Sequence, residues 1–325
     1  TKAATCTAEG TEQRTCENCK DAQTRSIAKI AHIGGAAVTA IGHGAFSHNN
    51  RITAVNLPQV TSVGDYAFGS SEQIASVTLG QLTSIGEYAF FETAITETPQ
   101  FTVDTEIGKY AFSFTDLTSV TIPDGMTVAE GVFSECLKME AVTIGNDVTL
   151  EKYAFNISVD NIFQVKNYDE DGEKYFFYEF AGGMDQLTIG DNAVIGESAF
   201  AGNADLETVT LGANADIGKQ AFYNNSNLKN IDLSQVKALG DYALSGDVYY
   251  ICVDDSMAYA AVSSEGKYIY SYHAPQITSA SLPALESIGE YAFADCASLK
   301  SFTFPDGLPS VPYSTFVRCS SLETV

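Results

Sequence analysis

Tryptophan is absent from this 325-residue chain, and basic residues are scarce: 17 Lys and Arg stand against 41 Asp and Glu, for a formal net charge of -24. The basic residues are scattered and form no cluster, so the sequence argues against nucleic-acid binding. No apolar run approaches the ~18 residues that a transmembrane helix needs, and we expect no direct membrane insertion of this segment. The seven cysteines are an odd number and do not indicate a disulfide framework.

Recognisable catalytic signatures are also missing from the sequence. It contains no G-x-S-x-G motif, no Ser/His/Asp set and no glycine-rich loop of the kind that cradles phosphates. Paired carboxylates occur only because the whole chain is acidic. We therefore expect a protein that is not an enzyme.

A hexapeptide repeat dominates what is present. The sequence I-G-E-Y-A-F at residues 85–90 recurs in close copies at 63–68, 107–112 and 288–293. Its last position is Phe, with one Leu, at residues 46, 68, 90, 112, 133, 155, 200, 222, 244, 293 and 316, and the usual spacing is 22. Two longer gaps, of 45 and 49 residues, are interpreted as two units each, with Tyr178 and a residue near Ser271 in the missing places. This predicts about 12–13 units over residues 34–325.

Each unit contains an L-x-x-L-x-L pattern, for example Leu206, Val209 and Leu211 at 6, 9 and 11 residues after Phe200. Alternation with period two predicts a short strand with one buried face, and its regular recurrence predicts a parallel stack. The outward positions are small, nearly uncharged and rich in Thr, as in Thr208 and Thr210. They are interpreted either as β-branched residues that suit a sheet surface or as a wide docking face.

The corner residues carry further expectations. Gly is the usual second residue of the hexapeptide, which indicates positive φ or close backbone contact. The third residue is often acidic, as expected in the first turn of a short helix. Three residues past the Phe lies a small polar residue or Cys, such as Asn203 or Cys136, expected to satisfy backbone groups of the turn.

The I-G-x-Y-A-F…C/N-x-x-L-x-x-V-x-L pattern resembles the BspA-like leucine-rich repeats of bacterial surface proteins over about residues 37–325. The resemblance implies an α/β repeat solenoid, a right-handed superhelix with a parallel β-sheet on its concave face and short helical or irregular turns on its convex face. It also implies an extracellular or cell-surface adhesion protein that binds host matrix or plasma proteins.

Residues 1–33 do not fit the repeat. Their spacing, T-C-x3-G-x5-C-x2-C, resembles a small module found between domains of Gram-positive surface proteins. Cys6, Cys16, Cys19 and His32 are a sufficient ligand set for a structural zinc, and no other cofactor is expected. The alternatives are a hairpin with free or partly paired cysteines, or a disulfide from Cys19 to Cys16 or Cys6.

Two irregular insertions, at residues 156–180 and 245–273, interrupt the repeat. The first reads as an extended hairpin, and both are rich in aromatic residues. Tyr-rich loops that break a regular scaffold favour contact with a partner, so the predicted binding residues lie here: Tyr175, Phe176, Tyr178, Tyr249, Tyr250, Tyr268 and Tyr270. The sequence thus predicts a secreted or surface scaffold that binds a protein or glycan. A structural spacer within a larger surface protein is the alternative, and an enzyme is third.

Overall fold

A computed structural model describes the backbone of residues 10–15, 22–27, 38–157, 164–170, 173–179, 182–246, 248–251, 269–272 and 274–325. It describes the side chains of residues 38–157, 182–246 and 274–325. Throughout these ranges the regular elements are β-strands, here numbered in chain order. The described residues therefore include no helix that could cross a membrane.

The main body is a solenoid of about ten turns. All but one of the turns from Phe46 to Phe293 contribute a strand to the long-strand sheet. Its strands are β4 (Ala54–Leu57), β6 (Ser76–Leu79), β9 (Ser119–Ile122), β11 (Ala141–Ile144), β15 (Gln186–Ile189), β17 (Thr208–Leu211), β19 (Asn230–Ile231), β23 (Ser279–Ser281) and β25 (Ser301–Thr303). All pairings are parallel, within three groups: β4–β6, β9–β11–β15–β17–β19 and β23–β25. The first break falls in the turn that carries Pro99, where the sequence pattern is irregular.

A second ladder, the short-strand sheet, runs beside the first and uses two residues per turn. Its strands are β3 (Ala40–Ile41), β5 (Ser62–Val63), β7 (Ser84–Ile85), β8 (Glu106–Ile107), β10 (Thr127–Val128), β12 (Thr149–Leu150), β16 (Val194–Ile195), β18 (Asp216–Ile217), β20 (Ala238–Leu239) and β24 (Ser287–Ile288). They pair in parallel as two groups, β3–β5–β7–β8 and β10–β12–β16–β18–β20–β24. The second residue of each strand is buried, so the ladder also contributes to the core.

The described residues also include three antiparallel hairpins outside these ladders. The first pairs β1 (Gly10–Thr15) with β2 (Ala22–Ile27). The second pairs β13 (Gln164–Glu170) with β14 (Glu173–Glu179), and the third pairs β21 (Val248–Ile251) with β22 (Ile269–Tyr272). We call the second and third the aromatic hairpins.

A column of stacked phenylalanines forms the centre of the solenoid core. From Phe46 to Phe222, each ring lies 5.0–5.5 Å from the ring of the next turn, centroid to centroid. Leu244 continues the column with a fully buried side chain, and Phe293 stacks on Phe316 at 5.6 Å. Burial of these rings and their offset stacking stabilise each turn only in the presence of its neighbours.

The stack corrects the predicted number of units. Phe155 lies directly on Phe200, 5.4 Å away, and Ala141 of β11 pairs with Gln186 of β15. Tyr178 is therefore not in the column; it lies on β14, opposite Val165. Likewise Tyr242 stacks on Tyr291 at 4.7 Å, so no unit centred near Ser271 separates Leu244 from Phe293. Each long gap is therefore a single solenoid turn that carries an inserted hairpin.

The corners are tight turns, and the expected short helices are absent from the described residues. In the turn of Phe68, the amide of Ala67 donates to the carbonyl of Gly64 and that of Ser71 to Phe68. Each of these hydrogen bonds closes a four-residue backbone turn. The third residue of each such turn has a left-handed backbone, with φ of 52° at Tyr66 and 55° at Ser70. Alternate amides of the corner donate to the next turn, as Phe68 does to Ala89, so the corners form a ladder of their own.

The hexapeptide glycine is explained by close contact, and positive φ belongs instead to the residue two places later. A Cβ on Gly108 would lie 2.5 Å from the backbone nitrogen of Glu87, while φ at this glycine is ordinary. The acidic third residue also has a role other than the expected one. Asp65 accepts the amide of Glu87 in the next turn at 2.9 Å, which joins adjacent corners instead of starting a helix.

Candidate binding surfaces

The outward face of the long-strand sheet has the predicted composition. Its strands alternate exposed and buried residues, with Ala54 and Asn56 out and Val55 and Leu57 in along β4. The exposed positions of later strands are Thr, Ser, Ala, Asn and Gln. These short side chains leave an even surface, on which no single residue stands out as a site.

The polar column at the corner is structural, as the sequence predicts. Asn203 donates from its side-chain amide to the carbonyls of Phe155 and Phe200, each at 3.0 Å. Cys296 and Cys319 take the same place, donating from Sγ to the carbonyls of Leu244 and Phe293 at 3.1 and 3.0 Å. Burial raises the pKa of the Cys296 thiol well above its usual range, which keeps it protonated as a donor.

The aromatic hairpins leave the solenoid at the same phase of the repeat. In chain order the first lies between Phe155 and β15 and the second between Leu244 and β23, so each is inserted between the corner and the long strand of its turn. Both therefore emerge from one edge, three turns apart, or about 14 Å at the usual strand spacing. The backbones of β14 and β21 approach one another, so the two hairpins are neighbours.

Most predicted binding residues fall on the strands of these hairpins. Tyr175, Phe176 and Tyr178 lie on β14, Tyr249 and Tyr250 on β21 and Tyr270 on β22. In register, Tyr175 is opposite Tyr168 and Tyr250 is opposite Tyr270, so aromatic residues pair across both hairpins. Tyr268 lies outside the described residues, as do Cys6, Cys16, Cys19 and His32.

A second aromatic surface lies at the corners between the turns of Phe68 and Phe155, where the recurrent tyrosine of the hexapeptide is joined by two phenylalanines that sequence reasoning missed. Tyr66, Tyr88 and Tyr110 stack in a row, with ring centroids 4.9 and 5.2 Å apart. Phe91 packs edge-on against Tyr88 and Phe114, each at 5.5 Å. The sequence does mark Phe91 as unusual, because the next two turns have serine at the same position, Ser113 and Ser134.

The electrostatics of this corner surface are set by Glu130. Its carboxylate accepts from the Lys109 ammonium at 2.9 Å and from the Tyr110 hydroxyl at 3.1 Å. The hydrogen bond from Lys109 lowers the pKa of Glu130, and the same bond raises the pKa of Lys109. Burial, together with the bond to Glu130, raises the pKa of Tyr110 to about 12. Tyr110 therefore stays protonated and neutral beside the Glu130 carboxylate.

A family model described as the BspA type leucine-rich repeat region matches the chain in six copies, over residues 39–162, 170–251 and 265–325. No relative among curated proteins matches this sequence. Similar solved structures include a leucine-rich repeat protein from Eubacterium ventriosum, at 22% identity over 85% of this chain and TM-score 0.39. This chain spans 66% of that protein, just under two thirds of its length.

Two further structures are similar at comparable levels. A leucine-rich cell surface protein from Faecalibacterium prausnitzii is 20% identical, over 97% of this chain and 92% of that one, with TM-score 0.35. The pneumococcal vaccine antigen PcpA is 14% identical, over 88% of this chain and 72% of that one, with TM-score 0.38.

Proposed function

The chain belongs to the BspA-type leucine-rich repeat family, and from this premise we propose that it is a secreted or cell-surface scaffold whose two aromatic hairpins bind a macromolecular partner. The partner is a host or matrix protein, and the role is not enzymatic. Repeat solenoids present extended surfaces of this kind to other macromolecules.

The observation that carries the proposal is that the solenoid does not need the hairpins. Phe155 stacks on Phe200, and Leu239 pairs with Ile288, as if the intervening segments were absent. Yet residues 158–180 contain seven Tyr and Phe, and residues 247–273 contain six Tyr. Aromatic residues concentrated in these two segments, outside the continuous repeat, are suited to an interface because they bring large contact area with few rotatable bonds.

Excision of the hairpins tests the proposal without disturbing the stack. Removing residues 158–180 and 247–273 places Phe155 and Leu244 each 22 residues before the next Phe of the column, the spacing of most other turns. We expect this variant to melt cooperatively with the β-sheet circular dichroism of the parent. Its binding to an array of immobilised matrix proteins, plasma proteins and glycans should be lost.

The triple variant Tyr175→Ala, Tyr249→Ala and Tyr250→Ala refines the test at residue level. If these tyrosines are anchors, affinity for the captured partner falls at least about tenfold. If both variants bind the partner as tightly as the parent, another surface of the solenoid recognises it. A parent chain that captures nothing from the array would leave the spacer role as the better account.

For the N-terminal cysteines we propose one of two roles. Either Cys6, Cys16, Cys19 and His32 hold a structural zinc, or Cys19 forms a disulfide. Metal analysis of the whole chain separates them. One equivalent of zinc that is lost in Cys19→Ser supports the ligand set. Absence of zinc, with Cys19 alkylated only after reduction, supports the disulfide.

A further inference from the structure

The fourth residue of the hexapeptide forms a column along one corner of the solenoid. In chain order this column consists of Gly44, Tyr66, Tyr88, Tyr110, Gly131, Tyr153, Ser198, Gln220, Tyr242, Tyr291 and Ser314. All of these residues share a left-handed backbone, with φ between 52° and 65°. Because glycine, serine and glutamine form the same turn, the turn itself does not require tyrosine.

Where tyrosines are neighbours in this column, their rings stack face to face. Tyr66, Tyr88 and Tyr110 have ring centroids 4.9 and 5.2 Å apart, with interplanar angles of 11° and 13°. Tyr242 and Tyr291 are closer still, at 4.7 Å and 3°. We call these two groups the tyrosine stacks. They place equivalent ring carbons of adjacent turns side by side.

The stacked rings are open to small molecules in solution. Tyr66 is 42% exposed, and the other four tyrosines of the stacks are partly exposed. The first stack also has a proton acceptor in place, because the Tyr110 hydroxyl donates to the Glu130 carboxylate at 3.1 Å. Loss of an electron from a phenol is coupled to loss of its hydroxyl proton, and a hydrogen-bonded carboxylate can take that proton.

We propose that the tyrosine stacks are sites of dityrosine formation, in which hydrogen peroxide, used by a peroxidase, joins adjacent turns covalently. Each of two stacked phenols gives up one electron and its hydroxyl proton. The two radicals couple through a carbon–carbon bond between ring carbons ortho to the hydroxyls. The hydrogens on those carbons then move to the oxygens, which restores both phenols. The two electrons and two protons reduce one hydrogen peroxide to two water molecules.

Such a link adds a covalent bond to turns that a solenoid holds together by contacts with their neighbours. A bond between Tyr242 and Tyr291 joins residues 49 positions apart and encloses the second aromatic hairpin. Closing a loop of this length limits the freedom of the unfolded chain. The modification therefore strengthens the turn from which that hairpin leaves.

The test treats the dilute, intact chain with peroxidase and hydrogen peroxide, isolates the monomer and maps its links by fragmentation mass spectrometry. Tyr313 is the internal control, since it is 70% exposed but meets Tyr291 edge-on, at 5.6 Å and 75°. If stacking directs the coupling, the Tyr242–Tyr291 link exceeds the Tyr291–Tyr313 link by at least about tenfold. This preference should disappear in concentrated urea.

A double variant, Tyr88→Phe with Tyr242→Phe, keeps every ring and the net charge. It leaves no face-to-face pair of tyrosines in the described part of the column. We expect dityrosine in the solenoid peptides of the monomer to fall at least about fivefold. Tyr153→Phe is the matched control, because its column neighbours are Gly131 and Ser198, and it should leave the yield unchanged.

Three outcomes would overturn the proposal. Equal amounts of the Tyr242–Tyr291 and Tyr291–Tyr313 links would show that exposure alone selects the coupled rings. Links found only between chains would show that adjacent turns do not couple. Tyrosines that are oxidised without any coupling would show the same. Partner binding by the hairpins is measured on unoxidised protein, so failure here and failure of the hairpin proposal are distinguishable.

Discussion

Replacing Gly108 with alanine is expected to lower the free energy of unfolding by about 3 kcal/mol, the upper end of the usual cost of overpacking. The added Cβ would lie 2.5 Å from the backbone nitrogen of Glu87 and 2.7 Å from the carbonyl carbon of Gly86. Both are backbone atoms of the preceding turn, so no side-chain rotation relieves the contact. The corners of adjacent turns must move apart, which weakens their ladder of hydrogen bonds. The denaturation midpoint in urea measures the loss.

Gly42 supplies the matched control for this substitution. It holds the same motif position in the first described turn, and a Cβ there would meet no described atom within 4 Å. Gly42→Ala should therefore change the unfolding free energy by no more than about 0.5 kcal/mol. Equal losses in the two variants would show that the motif glycine is needed for its backbone freedom, in conflict with the contact explanation.

Replacing Phe200 with alanine is expected to cost about 3–5 kcal/mol, the range for removing a buried ring. The side chain is fully buried, and its ring stacks on Phe155 and Phe222 at 5.4 and 5.5 Å. This ring also bridges the point at which the first aromatic hairpin leaves the stack. Its loss should separate the two parts of the column, and thermal melting should become broader as the two halves uncouple.

Phe200→Leu is the conservative comparison, because Leu244 already occupies this column with complete burial. The substitution retains an apolar side chain of similar reach and loses only the stacking and some volume, so a cost of about 1.5 kcal/mol is expected. A Phe200→Ala variant that unfolds within about 1 kcal/mol of the parent would contradict a continuous stack across the insertion.

The repeat itself was legible in the sequence because each element of it is local. The hexapeptide, the small polar residue after it and the L-x-x-L-x-L run are offsets of a few residues, and alternation within a strand such as β4 follows from side chains that point to opposite faces. The predicted burial of Val55 and Leu57 and the backbone bonds of Asn203 are confirmed for that reason.

The long gaps were misassigned for a related reason. Met184, Leu187 and Ile189 have the correct offsets from Tyr178, so the sequence suggests a complete unit there. They are in fact the strand half of the turn that begins at Phe155. An insertion between corner and strand leaves both halves with correct local spacing, and only the register between turns shows which halves belong together.

The hexapeptide glycine and Phe114 both depend on contacts between turns, which the sequence alone does not reveal. By itself the sequence determined a 22-residue solenoid unit, its buried face and two aromatic interruptions, because these depend on local periodicity. Only the tertiary structure decided that Gly108 is small for contact with the turn below, and that Phe114 lies between Glu92 and Glu135. Those relations join residues of neighbouring turns, and stacking rather than chain distance brings them together.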